Sequence, residues 1–174
     1  NASQFSTGSA FTIETWFKSA DQPGVHADAD QPRVIIGTQD NHFRMGIDHN
    51  DVFYGSRWSS TNGICTGSTV ITDSNWHHIA MVTNDGQGTN NVSFYLDGQF
   101  ECGFVAQGNL NNDAFSQEIW FGADTNGSQS RNFFSGQIAN VRLSYGEEYD
   151  NQLVGNSMMN PTYPFAATPV VLGL

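Results

Sequence analysis

This 174-residue sequence contains very few positively charged residues. One lysine and five arginines face 17 acidic residues, which leaves a formal net charge of −11. Such a surface repels phosphate backbones and anionic lipid headgroups, so nucleic acid and charged membranes are poor partners. The same acidity favours a hard cation such as calcium as a bound ion.

Long apolar runs and cysteines are also rare. No segment stays apolar over the roughly 18 residues that a membrane span requires, so we expect no membrane insertion. Cys65 and Cys102 are compatible with one disulfide or with two free thiols, because their spacing does not decide between them. A surface rich in asparagine and glycine favours an extracellular setting, where a bridge would add about 3–4 kcal/mol.

Catalytic motifs are missing as well. The sequence has no Gly-x-Ser-x-Gly elbow, and neither cysteine stands in a catalytic pattern. Glycoside hydrolysis uses two carboxylates, yet neither Glu14 nor Glu118 has an acidic residue two positions away to face the same side. His77 and His78 lie inside a predicted strand and point to opposite faces, so they cannot both serve one metal centre. We therefore expect no enzyme activity.

What the sequence does contain is alternation of period two, interrupted by turns. Phe11, Ile13 and Phe17 alternate with other residues, as a strand with one buried face requires. The pair Asp97-Gly98 suits a hairpin turn. Many short strands at this spacing predict an all-β, two-sheet antiparallel sandwich. Strands are predicted at Phe11–Phe17, Arg33–Gly37, His42–Asp48, Val52–Gly55, Trp76–Thr83, Val92–Leu96, Glu118–Gly122 and Gln137–Ser144.

The chain length is that of one sandwich domain, which we place at residues 1–174. Its core covers about residues 5–146. The remaining segment, 147–174, contains Pro161 and Pro164, which favour an extended strap or linker over a central strand. Only Gly146–Leu153 has a pattern that would suit a short helix.

Four segments follow one another along the chain: Trp76–Val82 (WHHIAMV), Val92–Gly98 (VSFYLDG), Ile119–Gly122 (IWFG) and Phe134–Leu143 (FSGQIANVRL). In this order they resemble the laminin G-like and pentraxin-like jelly rolls of the concanavalin A-like group. The resemblance implies a curved jelly roll of two antiparallel sheets. The cysteines of that family lie elsewhere, so a Cys65–Cys102 bridge would belong to this protein or its subgroup.

The resemblance also implies a calcium site. Calcium-binding pentraxins carry ligands at the positions of Asp40 and Asn41, and a second cluster at the positions of Asp124, Thr125 and Asn126. Calcium takes six to eight oxygen ligands, so these side chains and the Thr125 carbonyl would supply much of one shell. The acids that hold a second ion in pentraxins have no counterpart here, so we expect one ion. A plain hairpin at Asp40-Asn41 is the alternative.

Two further polar clusters have more than one interpretation. Asp48, Asn50 and Asp51 are typical of a turn, although they could complete the calcium shell. His26-Ala-Asp-Ala-Asp30 has the alternation of a metal-binding loop, but a solvated acidic segment is the commoner use of such residues.

Together these features predict a calcium-dependent extracellular binding module that recognises a carbohydrate at loops around one calcium. Tyr54, Arg57 and Trp58 are the candidate ligand-binding residues, since they combine aromatic rings with a cation. The expected partner is a glycan or a cell-surface protein, and an oligomer is compatible with the sequence. The alternative is a structural or adhesion module at a cell or virus-particle surface, in which calcium would only stabilise the fold.

Overall fold

The computed structural model describes residues 11–20, 32–38, 43–57, 63–83, 92–104, 119–125 and 130–145, without the side chains at positions 57, 130, 144 and 145. Every regular element within these ranges is a β-strand. The strands are β1 (Phe11–Ser19), β2 (Arg33–Thr38), β3 (Phe43–Ile47), β4 (Val52–Arg57), β5 (Ile64–Val70), β6 (His77–Thr83), β7 (Val92–Leu96), β8 (Gln99–Phe104), β9 (Ile119–Phe121), β10 (Asp124–Thr125), β11 (Ser130–Arg131) and β12 (Gly136–Tyr145).

The strands form two five-stranded antiparallel sheets. Sheet A has the order β12-β1-β6-β7-β8, and sheet B has the order β5-β4-β3-β2-β9. The short strands β10 and β11 pair with each other. This architecture confirms the predicted two-sheet antiparallel jelly-roll sandwich, and it places the apolar core between the two sheets.

All eight predicted strands are present, but the sequence interpretation missed β5, β8 and the two-residue strands β10 and β11. β5 is an edge strand of sheet B, and β8 is an edge strand of sheet A. Only Cys65 is buried in β5, and only Phe104 is buried in β8. Edge strands pack on one side only, so their sequences need few apolar residues and show weak alternation.

Residue alternation in β3 shows how a strand of this fold separates its two faces. Phe43, Met45 and Ile47 are completely buried in the core, whereas the Arg44 side chain is 15% exposed and lies on the other side of the sheet. Alternation along the predicted strand His42–Asp48 gives the same inward and outward positions for these four side chains. We call the side of sheet B that carries Arg44 the outer face of sheet B.

Phe94 of sheet A packs directly against Gly55 of sheet B. A Cβ atom at Gly55 would lie 2.6 Å from the ring of Phe94, so only glycine fits this position without a shift. The same ring packs against Phe53 and Phe104, with centroid distances of 5.7 and 6.0 Å.

The hairpin between β7 and β8 turns at Asp97-Gly98, as predicted. Asp97 and Gly98 have φ values of 50° and 79°, the left-handed conformation that a two-residue hairpin of type I′ requires. The Asp97 side chain also accepts a hydrogen bond from the backbone N–H of His78, at 2.8 Å. The turn is thus attached to the neighbouring strand β6.

Cys65 and Cys102 form a disulfide, which answers the question that their spacing left open. The bridge joins β5 of sheet B to β8 of sheet A, with the two Cα atoms 5.8 Å apart. It therefore connects the edges of the two sheets covalently.

The C-terminal part of the chain, including the predicted helix Gly146–Leu153 and the strap 147–174, lies outside the described residues. The proposed domain limits therefore stay a prediction. Within the described ranges, no helix combines the length and the apolar character needed to cross a bilayer.

Removal of the bridge should lower stability without changing the fold. The two cysteines are 37 positions apart, and closing a loop of this length contributes about 3–4 kcal/mol through the entropy of the unfolded chain. We expect the double variant Cys65→Ser, Cys102→Ser to lose about this much free energy of unfolding, measured by chemical denaturation. As a control, a reducing agent should destabilise the parent protein and leave the variant unchanged. Equal stability of the oxidised parent and the variant would contradict a stabilising bridge.

Candidate functional site

Asp124 lies against the outer face of sheet B because the chain folds back after β9. Gly122, with a φ of 76°, permits this reversal and donates its N–H to the carbonyl of Ile35 at 2.9 Å. A Cβ atom at Gly37 would lie 3.0 Å from the Cβ of Asp124, so the absent side chain of Gly37 makes room for it. The Asp124 side chain is fully buried in this position.

Two arginines and an asparagine hold the Asp124 carboxylate. The Nε atom of Arg44 lies 2.9 Å from Oδ2, and the Nε atom of Arg131 lies 3.4 Å from Oδ1. The side-chain amide of Asn132 donates to both oxygens at 3.0 Å. Both carboxylate oxygens therefore have partners, and positive charge compensates for the burial of the negative one. We call these four residues the Asp124 cluster.

The Asp124 cluster does not fit a calcium ligand as it lies here. A divalent cation at this carboxylate would stand beside two guanidinium groups, whose charge repels it. Thr125 is buried and pairs with β11 through its backbone. Asp40, Asn41 and Asn126 lie outside the described residues, so the calcium shell stays a prediction. Within the described ranges, no group of three or more His, Cys, Asp or Glu side chains could hold a metal ion.

The outer face of sheet B also brings Tyr54 near the Asp124 cluster. One row across the sheet runs through Trp120, Gly37, Arg44, Ser56 and Ile64. Tyr54 is half-buried in the next row, opposite Gly46 and Thr66. Diagonal neighbours of this kind are about 7–8 Å apart, so the Tyr54 and Arg44 side chains share one surface.

Of the three predicted ligand-binding residues, only Tyr54 has a described side chain. Arg57 ends β4 opposite Phe43, and nothing more is described of it than its backbone. Trp58 and the acidic segment His26–Asp30 lie outside the described residues, so their predicted roles stay predictions.

The cluster at Asp48, Asn50 and Asp51 forms the turn between β3 and β4. Oδ1 of Asp48 accepts hydrogen bonds from the backbone N–H groups of Asn50 at 2.7 Å and Val52 at 3.2 Å. Oδ1 of Asp51 accepts a hydrogen bond from Arg33 at 2.6 Å in a buried ion pair. These contacts confirm the turn interpretation, since the carboxylates serve the backbone and a neighbouring arginine.

The tandem histidines lie on opposite faces of β6, as predicted. His77 bridges two carboxylates, with Nδ1 2.6 Å from Asp97 and Nε2 2.8 Å from Asp73. His78 is buried on the other side of sheet A, with Nε2 3.0 Å from Glu14. The two rings therefore cannot share a metal centre, and the contacts of both support a structural role.

The two carboxylates change how His77 titrates. The hydrogen bond with Asp97 raises the pKa of His77 above its ordinary value, and the contact with Asp73 acts in the same direction against the effect of burial. A hydrogen bond from the backbone N–H of Asn75 lowers the pKa of Asp73, and the contact with His77 adds to this effect.

The double-sheet architecture defines the class of the protein, a concanavalin A-like sandwich. The model of the Laminin_G_3 family, described as the concanavalin A-like lectin/glucanases superfamily, matches residues 1–147. This chain belongs to that family. No curated protein sequence matches it.

Several solved structures share the fold at low sequence identity. The carbohydrate-binding module CBM40 of the Ruminococcus gnavus IT-sialidase, bound to α2,3-sialyllactose, has a TM-score of 0.66 and 10% identity, with 91% of this chain and 86% of that one covered. A Bacteroides ovatus protein described as carbohydrate-binding has a TM-score of 0.61 and 16% identity, and covers 85% of this chain. Domain 4 of AbnA, a GH43 extracellular arabinanase from Geobacillus stearothermophilus in complex with arabinotriose, has a TM-score of 0.51 and 17% identity, and covers 82% of this chain. The present chain spans 40% of the Bacteroides ovatus protein and 62% of the AbnA structure.

Sequence interpretation did not identify Arg44, Arg131 or Asn132 as partners of Asp124. Alternation in β3 places Arg44 outside the core, and this was the only indication in the sequence that Arg44 could reach a polar partner. No periodicity relates residues so far apart in the chain, so their meeting at one carboxylate depends on the chain reversal after β9.

Replacement of Asp124 should destabilise the domain whether or not calcium is present. Asp124→Asn leaves Arg44 and Arg131 without their counter-charge, and removing one member of a buried pair lowers stability by about 3–5 kcal/mol. Because Arg131 is 38% exposed, we expect the free energy of unfolding to fall by about 3 kcal/mol, the lower end of this range. Chemical denaturation of parent and variant, each with calcium and with a chelator, measures this.

Asp73→Asn serves as the control for this experiment. Its carboxylate is half exposed, and exposed ion pairs contribute little, so its loss should be much smaller. If Asp124→Asn is as stable as the parent in chelator and lacks only a calcium-induced gain, the carboxylate binds a cation and the described arrangement is wrong.

Stability should fall as pH rises past the pKa of His77. Because the folded state raises this pKa, the ion pairs contribute fully below the unfolded value of about 6.5 and are lost as pH rises through the higher folded value. We expect thermal unfolding temperatures to decline over this window, and His77→Gln to flatten the decline. His49→Gln, at an exposed turn position, is the control and should keep the slope of the parent. An unchanged slope in His77→Gln would assign the pH dependence to another group.

Proposed function

We propose that this domain is a non-catalytic carbohydrate-binding module of an extracellular protein, and that the glycan binds on the outer face of sheet B around Tyr54. The observation that carries the proposal is the difference between the two sheets. On the outward side of sheet A, Glu14, His78 and Tyr95 are buried. On the outer face of sheet B, Ser56 is buried, but Tyr54 is half-buried and Ile64 is 65% exposed, so the part of this face around Tyr54 is accessible to a ligand.

The surroundings of Tyr54 suit a sugar. Its ring offers an apolar surface on which the C–H face of a sugar ring can stack, and its hydroxyl can hydrogen-bond. Thr66, which pairs with Tyr54 from the neighbouring strand β5, adds a hydroxyl beside the ring. A few polar groups placed beside an apolar surface on rigid strands are typical of small-molecule sites.

Two of the similar structures support the ligand class. The CBM40 module was solved with sialyllactose and the AbnA domain with arabinotriose. Both likenesses rest on the fold at identities of 10% and 17%, so they support a carbohydrate ligand without indicating which sugar.

The described acidic residues support a role without catalysis. Glu14 is buried and contacts Arg142 and His78, so its carboxylate is not presented in a cleft. Asp124 is held by two arginines. A glycoside hydrolase would need two carboxylates facing one substrate, and neither of these does.

The disulfide supports an extracellular setting, because such bridges persist in oxidising compartments. Calcium dependence is a separate prediction, which names Asp40, Asn41, Asp124, Thr125 and Asn126 as the ligands of one ion. The binding experiment below therefore includes a chelator.

A structural or adhesion role is the second candidate, favoured by one observation. Ile64 and Val70 on the edge strand β5 are 65% and 54% exposed, and exposed apolar side chains on an edge suit contact with another protein. In that case the outer face of sheet B would bind a protein surface and no glycan.

A glycan array followed by calorimetry tests the proposal. We expect selective binding of a glycan set, and a loss of about tenfold in affinity for Tyr54→Ala, because stacking on the ring disappears. Tyr54→Phe should keep most of the affinity, and Gln99→Ala, an exposed position on sheet A, should keep all of it. Binding that survives Tyr54→Ala would place the site elsewhere, and silence across the array would favour the adhesion role. Repeating the titration in chelator shows whether calcium takes part.

A further inference from the structure

We infer that the guanidinium groups of Arg44 and Arg131 form a subsite for the carboxylate of an acidic sugar. This inference rests on the proposed function and specifies its ligand class: a glycan that contains a uronic or sialic acid. The subsite lies on the same outer face of sheet B as Tyr54.

The first observation concerns the terminal nitrogens of the two arginines. Arg44 and Arg131 contact Asp124 through their Nε atoms. Both Nε atoms are buried and make no well-aligned hydrogen bond, whereas no Nη atom of either residue is a buried donor without a partner. Within the described part of the chain, no hydrogen bond occupies these Nη atoms. Each guanidinium therefore keeps Nη donors for a ligand, on side chains that are 15% exposed for Arg44 and 38% exposed for Arg131.

The second observation is that these donors are held in place before any ligand arrives. Asp124 lies between the two arginines, and Asn132 fixes its carboxylate with two hydrogen bonds of 3.0 Å. The Arg44 side chain is only 15% exposed, so little conformational freedom remains to be lost on binding. Donors oriented in advance bind at a lower entropic cost than flexible ones. Asp124 thus acts as the positioning residue of the subsite.

Charge adds a third argument. Two guanidinium groups share one carboxylate, so the Asp124 cluster keeps one unit of positive charge in a chain of net charge −11. The repulsion from distant acidic residues is screened beyond about 10 Å at moderate ionic strength, so the local charge dominates at contact. An anionic group is therefore attracted to this place on an otherwise acidic protein.

The geometry of arginine selects the type of anion. A guanidinium edge offers parallel N–H donors that match the two oxygens of a carboxylate, and this pairing is stronger than a bond to a neutral hydroxyl. Tyr54 lies on the diagonal from Arg44, close enough for one sugar ring to stack on the tyrosine while an acidic group reaches the arginines. The positive charge of the two arginines would also attract the sulfate group of a sulfated sugar, so the test includes such a ligand.

Matched acidic and neutral ligands test the inference by calorimetry at low ionic strength. The first pair is oligogalacturonate and its methyl ester, which removes the charge and keeps the ring. The second pair is 3′-sialyllactose and lactose, which distinguishes a sialic from a uronic acid. We expect one acidic ligand to bind at least about tenfold more tightly than its neutral partner, as the loss of a charged hydrogen bond implies. If a sulfated oligosaccharide binds more tightly than both acidic ligands, the group recognised by the arginines is a sulfate and not a carboxylate. This result would overturn the inference.

Arg131→Gln is the main variant, since its exposed side chain makes the longer contact to Asp124 and its loss should spare the fold. We expect the affinity for the acidic ligand to fall about tenfold and that for the neutral ligand to stay within about twofold. Arg142→Gln is the matched control: it removes the same charge from a side chain of similar exposure, 45% against 38%, that pairs with Glu14 on sheet A. It should change neither affinity. Unfolding temperatures of all variants verify that each is folded.

The outcomes separate this inference from the proposed function. Equal affinity for acidic and neutral ligands, or an unchanged affinity in Arg131→Gln, overturns the arginine subsite; sensitivity to Tyr54→Ala would then still support a carbohydrate-binding module. Full binding by Arg131→Lys would overturn the paired-donor geometry, because lysine keeps the charge and loses the fork. No binding of any glycan overturns both proposals.

Discussion

The contact between the Phe94 ring and the backbone of Gly55 determines how closely the two sheets pack, and much of the structure depends on it. Gly55 pairs with Cys65 on the neighbouring strand, and Phe94 pairs with Cys102, so the disulfide forms beside this contact. The core contact and the disulfide therefore join the same pair of strands in each sheet, β4 and β5 of sheet B to β7 and β8 of sheet A. Because side chains alternate along β4, the residue before Gly55 must point the other way, and this places Tyr54 on the outer face of sheet B.

A second constraint is electrostatic. The Asp124 carboxylate is completely buried, and a buried charge is tolerated only with close compensation. Arg44 from β3 and Arg131 from β11 supply it, which attaches the segment after β9 to the middle of sheet B. The same requirement explains how a protein with so few basic residues concentrates two of them at one surface. The compensation of the buried Asp124 carboxylate by two arginines thus both stabilises the fold and gives the proposed subsite its positive charge.

The parts of the fold that could be predicted are those that depend on neighbours in sequence. Strand β3 has Phe43, Met45 and Ile47 on one side, a pattern that sheet burial imposes directly on consecutive residues. Strand β5 has one buried residue, Cys65, because it lies at the edge of its sheet, and so it carried no comparable signal. The calcium hypothesis took Asp124 from a family resemblance, which specifies a position and not the partners that surround it.

By itself, the sequence determined the period of its strands, the left-handed turn at Asp97-Gly98 and the strongly acidic net charge. All three follow from local chemistry or from composition. Only the tertiary structure decided that Cys65 meets Cys102 and that Asp124 is enclosed by Arg44 and Arg131. The physical reason is distance along the chain: which strands become neighbours depends on how the sheets pack, and residue periodicity carries no information about it.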